Sequence, residues 1–231
     1  MNNICIITAR GGSKRIPRKN IKNFCGKPIL AYSIEAALES KIFNEVMVST
    51  DDAEIAEIAV KYGAKVPFMR SLKNSDDHAT TADVLEEVIN EYKKCNKTFK
   101  YMCCIYPTAP FVTAEKLKKS FATLQSSGAD AIIPVVKYSF PPQRCFVVEN
   151  EKLLYKWPEY MRTRSQDLTP YYHDAGQFYF IKMSVFERCI TLVPDNTIAF
   201  PLDEMEVQDI DNLTDWQLAE LKYQLSIDKN K

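Results

Sequence analysis

Short apolar runs of strand character alternate along this chain with segments whose apolar residues recur every three to four positions. That alternation constrains the fold more than any other feature. Residues 4–9 (ICIITA) form a β-leaning run that ends at Arg10-Gly11-Gly12. Pro28 can open a helix, with Leu30, Ile34, Ala37 and Leu38 on one face. Residues 45–50 (EVMVST) predict a second strand. Asp51-Asp52 can cap a helix carrying Ile55, Ile58 and Ala59, and Gly63 closes it. Residues 65–69 predict a third, short strand, and Val84, Leu85, Val88, Ile89 and Tyr92 mark another helix. Residues 101–106 (YMCCIY) are apolar on both faces, as a central strand covered by helices must be. Leu117, Phe121 and Leu124 then give a helix, residues 131–136 a strand, residues 177–181 and 197–202 two more, and Leu218, Leu221 and Leu225 a final helix. The expected class is α/β, a mostly parallel sheet with helices on both faces.

The rhythm breaks over residues 138–175, where Pro141-Pro142, many aromatics and two strand-like runs (145–148 and 153–155) surround Glu149-Asn150-Glu151. This predicts a hairpin-bearing insertion within one domain spanning 1–231. The length of 231 residues fits one domain with an insertion, burying roughly 70% of its unfolded surface. Seven cysteines, with no export signal and no paired C-x-x-C, read as reduced thiols in a cytoplasmic protein. Cys103-Cys104, inside an apolar run, read as packing residues. No run of apolar residues is long enough to span a membrane.

The chain carries 30 basic and 30 acidic side chains. A zero balance excludes a dedicated binder of nucleic-acid polymers. The charges are unevenly placed, however. Residues 1–33 hold seven bases and no acid, and residues 203–215 hold six acids and no base.

The densest basic segment is Ala9-Arg10-Gly11-Gly12-Ser13-Lys14-Arg15-Ile16-Pro17-Arg18-Lys19-Asn20. Two glycines after a strand let backbone N–H groups turn toward an anion, and the cations add charge for a polyphosphate. Ser13 can donate to an oxygen. The segment is neither a Walker A nor a dinucleotide fingerprint. A solvated basic loop is the alternative, but its place at the carboxyl end of a strand favours a phosphate site.

Asp209 and Asp211 lie two apart in an extended stretch, so their side chains leave one face about 6.6 Å apart. Paired carboxylates suit Mg²⁺, which keeps waters and substrate phosphates as further ligands. Asp211 can equally cap the helix that follows. Glu204 and Glu206 read as peripheral acids.

Taken in order, A-R-G-G-S-K-R-I-P-R-K-N, G-K-P, S-T-D-D, Arg70, S-D-D-H-A-T-T (75–81), Y-P-T-A-P (106–110), D-A-G-Q-F-Y (174–179) and D-I-D (209–211) resemble the cytidylyltransferases that activate nonulosonic acids, nine-carbon keto sugar acids, as CMP conjugates for glycan biosynthesis. The resemblance spans nearly the whole chain. It implies a Rossmann-like nucleotidyltransferase fold, CTP and a nonulosonic acid as substrates, a Mg²⁺ site at Asp209 and Asp211, and a homodimer paired through residues 138–175. Residues 10–15 and 174–179 point to the pseudaminic acid branch, with N-acetylneuraminic or legionaminic acid as alternative acceptors. Tyr106 stands where sialic acid relatives carry Gln, and Thr108 where the Kdo relatives carry a metal-binding Asp; both departures favour a different sugar.

The resemblance assigns nucleotide binding to Ala9, Arg10, Gly11, Gly12, Ser13, Lys19, Asn20, Arg70, Ala79 and Thr81. Arg10, Lys19 and Asp211 are the expected catalytic residues. Sugar contacts fall to Tyr106, Thr108, Arg144, Arg164, Gln177 and Tyr179, with His173 a weaker candidate. The residues alone leave bland readings open: Thr80 or Thr81 as a helix start, the arginines on a subunit surface, the tyrosines in the core. No Ser-His-Asp or Cys-His order is legible. A nucleotide-binding regulator without chemistry would explain the basic loop but leave the Asp pair idle.

Overall fold

The computed structural model describes residues 2–228. Its elements in order are β1 (Asn3–Thr8), β2 (Asn23–Phe24), β3 (Lys27–Pro28), α1 (Ile29–Ser40), β4 (Glu45–Ser49), α2 (Ala53–Lys61), α3 (Thr81–Lys94), β5 (Tyr101–Ile105), α4 (Ala114–Ser127), β6 (Ala131–Lys137), β7 (Phe146–Glu149), β8 (Lys152–Tyr155), β9 (Tyr172–Asp174), β10 (Phe178–Lys182), α5 (Met183–Cys189), β11 (Thr197–Leu202) and α6 (Leu213–Asp228). The central sheet runs β11-β6-β10-β5-β1-β4, with β9 added against β6. β1 is parallel to β4 and β5, and β11 is parallel to β6, whereas β10 opposes both of its neighbours. The α/β expectation and the mostly parallel sheet are borne out.

Strand alternation explains the two-sided core. In β1, Ile4 and Ile6 point to one face, where Leu85, Val88 and Ile89 of α3 cover them. Cys5 and Ile7 point to the other, under Leu30 and Ile34 of α1 and Leu117 of α4. β5 repeats the arrangement, Met102 and Cys104 on the first face and Cys103 and Ile105 on the second. All four are fully buried, so the paired cysteines are packing residues. All seven thiols are free.

Helix starts follow local chemistry. The Asp52 carboxylate accepts from the Ile55 N–H and opens α2, and Gly63 follows its end at φ +94°, a conformation that costs glycine little. Thr80 and Asp83 form a reciprocal capping box at the start of α3. The strand expected over residues 65–69 is reduced to a single bridge between Lys65 and Met47. Pro67 has no N–H to continue the ladder. The final helix also differs from expectation: Leu218, Leu221 and Leu225 are exposed, and a second stripe made of Trp216, Ala219 and Tyr223 packs inward. α6 carries two apolar stripes, and aromatic bulk decides which one docks. α5 was not legible in the sequence pattern at all.

A third cluster has direct consequences for the site. Ile16 of the basic segment, Phe24, Ile29 and Tyr32 pack with Ile210 and Trp216 from the acidic end of the chain. The Phe24 and Trp216 rings meet edge-on at 5.5 Å. Hydrophobic burial therefore fastens the basic and acidic ends together. Ile210→Ala should lower stability by roughly 2–4 kcal/mol, measured by denaturant unfolding, because it leaves a cavity at this junction.

Residues 138–175 leave the sheet after β6 and return to it through β9, which pairs Val135 with Asp174 and Lys137 with Tyr172. Between them β7 and β8 form a separate hairpin, turned by Asn150 and Glu151 at φ +48° and +63°. Positive φ at both positions gives the turn the twist that two-residue hairpins require. Among the described residues, no helix is long and apolar enough to cross a membrane.

Candidate active site

The parallel strands β1, β4, β5 and β6 all end at one edge of the sheet, and two adjoining clefts open there. The first, of about 350 Å³, is lined by Arg10, Ser13, Lys19, Asn20, Arg70, Ala79 and Thr81, among others. The second, of about 600 Å³, is bordered by Tyr138, His173, Asp174, Tyr179 and Lys222. Tyr106, Thr108 and Asp209 belong to both. A ligand in one cleft is thereby placed against a ligand in the other.

The basic segment is held from below by the acids that follow β4. Asp51 accepts from the Gly11 N–H at 2.8 Å, so that N–H does not face the cleft as its glycine suggested. The physical need for Gly11 is close approach: a Cβ there would stand 2.8 Å from Asp52 Oδ2. Arg18, in the left-handed region at φ +55°, pairs with Asp52 and Glu54. The hydrogen bond from Arg18 holds the Asp52 carboxyl below the usual carboxylate range. Its folded pKa is depressed, so its stabilising contribution is complete at neutral pH and is lost as pH falls through that lowered value. Asp52→Ala should cost about 1–2 kcal/mol at pH 7, with the difference from wild type shrinking under acid; thermal unfolding across pH checks it.

Asn20 is buried and donates to the Arg10 carbonyl at 2.8 Å, fixing the start of the segment. The Ala9 N–H joins the Ser49 carbonyl at 2.9 Å, which leaves Ala9 buried behind the cleft. Arg10 reaches across to the Asp76 carbonyl at 3.1 Å and to Asp77 at 3.0 Å, and Lys14 also pairs with Asp77. Arg70 is buried and bound to the Ser49 hydroxyl at 3.0 Å; burial lowers its pKa.

Lys19 joins the two ends of the chain. Its ammonium donates to the carbonyl of Ile210 at 2.6 Å, between Asp209 and Asp211. Burial lowers its pKa below the ordinary 10.5, against the opposing pull of Asp211 and Asp209. Ile210 is buried while Asp209 and Asp211 face outward, the alternation expected of an extended stretch. Asp211 is not the helix cap. Asn212 accepts from the N–H groups of Thr214 and Asp215, and the Asp211 carboxylate meets Arg15 at 2.7 Å. Among the described residues no group of three or more His, Cys, Asp or Glu gathers as a metal shell. Two outward carboxylates fit a hard cation whose remaining ligands are water and phosphate oxygens.

In the second cleft the Tyr179 hydroxyl donates to Asp174 at 2.7 Å, and the rings of Tyr106 and Tyr179 lie 5.3 Å apart. Burial raises the pKa of both phenols, which keeps them protonated donors. The Tyr106 hydroxyl lies 3.5 Å from that of Thr81. Three expected sugar contacts are not brought here. Gln177 is buried behind the cleft, donating to the Glu206 carbonyl at 2.6 Å. Arg144 bonds Ser165 at 3.1 Å and Arg164 pairs with Asp167 at 2.7 Å, both out on the insertion. Asp51, Asp52, Asp77, Asp174 and Lys222 are site-forming residues to which the sequence assigned no part in the site, Asp51 and Asp52 being read there as a helix cap. The first four sit inside motifs already singled out there; Lys222 carries no such signal.

The family model described as Cytidylyltransferase matches residues 4–222. The chain belongs to the cytidylyltransferase family. It is 41% identical to a pseudaminic acid cytidylyltransferase of Campylobacter jejuni subsp. jejuni serotype O:2, over 98% of each chain. It is 32% identical to a CMP-N,N'-diacetyllegionaminic acid synthase of Legionella pneumophila, again over 98% of each. Its fold resembles that of a CMP:2-keto-3-deoxy-manno-octonic acid synthetase solved with CTP, with a TM-score of 0.69 at 18% identity, covering 99% of this chain and 100% of that one. The Rossmann-like nucleotidyltransferase architecture expected from the sequence is the architecture of this family.

Proposed function

We propose that this cytidylyltransferase transfers CMP from CTP to the anomeric hydroxyl of pseudaminic acid and releases pyrophosphate. The observation that carries the reading is the pair of adjoining clefts: a basic segment and Asp209 line one, and Asp209 with Tyr106 and Thr108 opens it into the other. The 41% identity to a pseudaminic acid enzyme, against 32% to a legionaminic acid enzyme, supports the choice of sugar.

In this reading the sugar hydroxyl oxygen attacks the α-phosphorus of CTP and gives up its proton to solvent, while the bond from that phosphorus to the α,β-bridging oxygen breaks and pyrophosphate leaves with the electron pair. Arg10 and Lys19 hold the triphosphate and the charge that grows on pyrophosphate, supported by Ser13 and Lys14. Arg70, Ala79 and Thr81 close around the cytosine. Asp209 and Asp211 would hold Mg²⁺, which when bound neutralises phosphate charge and lowers the pKa of the attacking hydroxyl. Tyr106, Thr108 and Tyr179 orient the sugar, so that positioning supplies much of the acceleration.

A homodimer built through residues 138–175 belongs to the same proposal. Val148 and Leu153 of the hairpin are 72% and 62% exposed, and a two-stranded hairpin is marginal without a partner surface. Sedimentation should give twice the chain mass, and Val148→Asp with Leu153→Asp should give the single-chain mass.

The test of function is incubation with CTP, Mg²⁺ and a panel of nonulosonic acids, with pyrophosphate as the readout. Release dependent on pseudaminic acid is expected. Release with N-acetylneuraminic or legionaminic acid instead would change the substrate. CTP binding without release would make the chain a nucleotide-binding regulator.

A further inference from the structure

We infer that Lys222 receives the carboxylate of the sugar acid, a role that rests on the proposed transfer reaction. In a 2-keto acid sugar the carboxylate and the anomeric hydroxyl are attached to the same carbon atom. The cation that reads the carboxylate must therefore sit beside the point of attack, where Asp209 stands between the two clefts. Within one chain Arg144 and Arg164 lie away from this point, out on the insertion and engaged with Ser165 and Asp167.

Lys222 meets it. It lines the second cleft together with Asp209. Its ammonium donates to the main-chain carbonyls of Glu204 at 3.1 Å and Val207 at 2.8 Å, the second only two residues before Asp209. Among the described residues it has no carboxylate partner, although Glu204 contributes its backbone to the contact. Two carbonyls leave one of its three N–H donors and the full positive charge for a ligand. The same contacts fix the long side chain in advance, which removes much of the ordering cost of binding.

The other basic residue bordering this cleft is Lys137, at the end of β6, and no hydrogen bond holds its ammonium among the described residues. On the opposite wall Asp174 accepts from the Tyr179 hydroxyl at 2.7 Å and from the Gly176 N–H at 2.8 Å. An acid there repels a carboxylate and suits the hydroxyl and acylamino N–H groups of the sugar. The cleft thus has a cationic end beside Asp209 and an acceptor end at Asp174, which gives the sugar one orientation.

The experiment compares wild type with Lys222→Gln and Lys222→Met, measuring KM for pseudaminic acid, KM for CTP and kcat under saturating Mg²⁺. Glutamine keeps N–H donors for the two carbonyls without the charge, whereas methionine removes both. If charge is the function, both variants raise the sugar KM by roughly 10- to 100-fold and leave the CTP KM near wild type. The C1 amide of the sugar, which lacks the charge, should then be used about equally by wild type and Lys222→Gln. A Lys222→Gln enzyme with wild-type sugar KM overturns the inference, and so does wild type that uses the acid and the amide equally well. A rise in CTP KM alone would also overturn it, assigning Lys222 to support of residues 204–209. These results all presuppose turnover by wild type; absence of wild-type turnover with every nonulosonic acid refutes the transfer reaction itself.

Discussion

Asp211→Ala is expected to lower kcat by roughly 10³-fold with Mg²⁺ present, while the melting temperature stays close to wild type. The size follows from removing one of two carboxylates placed to hold the ion against the phosphates. The intact fold follows from the local packing. Among the described residues the half-exposed Asp211 carboxylate makes one ion pair, to the exposed guanidinium of Arg15, of a kind that contributes little. The cap of α6 is made by Asn212 and Asp215, and Ile210 keeps its place in the core beside Ile16 and Trp216. Steady-state kinetics and thermal unfolding on the same sample separate the two effects. Near wild-type turnover would remove Asp211 from the proposed metal site.

Lys19→Ala is expected to lower kcat/KM by roughly 10²- to 10³-fold, by analogy with losing a charge-stabilising donor at the leaving group. The structure adds a second reason. The Lys19 ammonium also holds the Ile210 carbonyl, so its loss frees the stretch carrying Asp209 and Asp211. Lys19→Met should therefore show a weaker apparent affinity for Mg²⁺ as well as for CTP, read by varying each in turn. The depressed pKa has its own signature. The charged form is needed, and burial brings its loss below the ordinary 10.5, so kcat/KM should fall on an alkaline limb lower than a free lysine would give. Lys19→Arg should move that limb upward. For stability the sign is opposite: while charged, the buried lysine costs free energy, and that cost fades as pH rises through the folded pKa.

The ends of the chain show what a sequence can and cannot convey. Seven bases in residues 1–33 and six acids in residues 203–215 sum to an uninformative part of a zero balance. Their meeting depends on Ile16 and Ile210 sharing a core cluster, a tertiary fact with no local signature. Strand alternation in β1 and β5 was legible because helices cover both faces, making the runs continuously apolar. Caps at Asp52 and Thr80 were legible because capping is local chemistry. The misjudged face of α6 was not, since either apolar stripe satisfies helical periodicity and only the rings of Phe24 and Tyr32, which meet Trp216 and Tyr223, select the stripe that docks. The same limit applies to Gln177, Arg144 and Arg164. Their motifs and positions in the chain suggested the sugar cleft, but Gln177 is held by the Glu206 carbonyl, Arg144 by the Ser165 hydroxyl and Arg164 by the Asp167 carboxylate. Lys222 lay in a region with no motif, and its place follows only from how α6 packs back against residues 204–207.

The reaction proposed for this chain joins CMP to a nonulosonic acid. Mass spectrometry of a reaction containing CTP, Mg²⁺ and pseudaminic acid tests it most directly. A CMP–pseudaminic acid conjugate and pyrophosphate should form in equal amounts, and neither should form without the sugar. Free CMP and pyrophosphate accumulating at the same rate with or without sugar would contradict it.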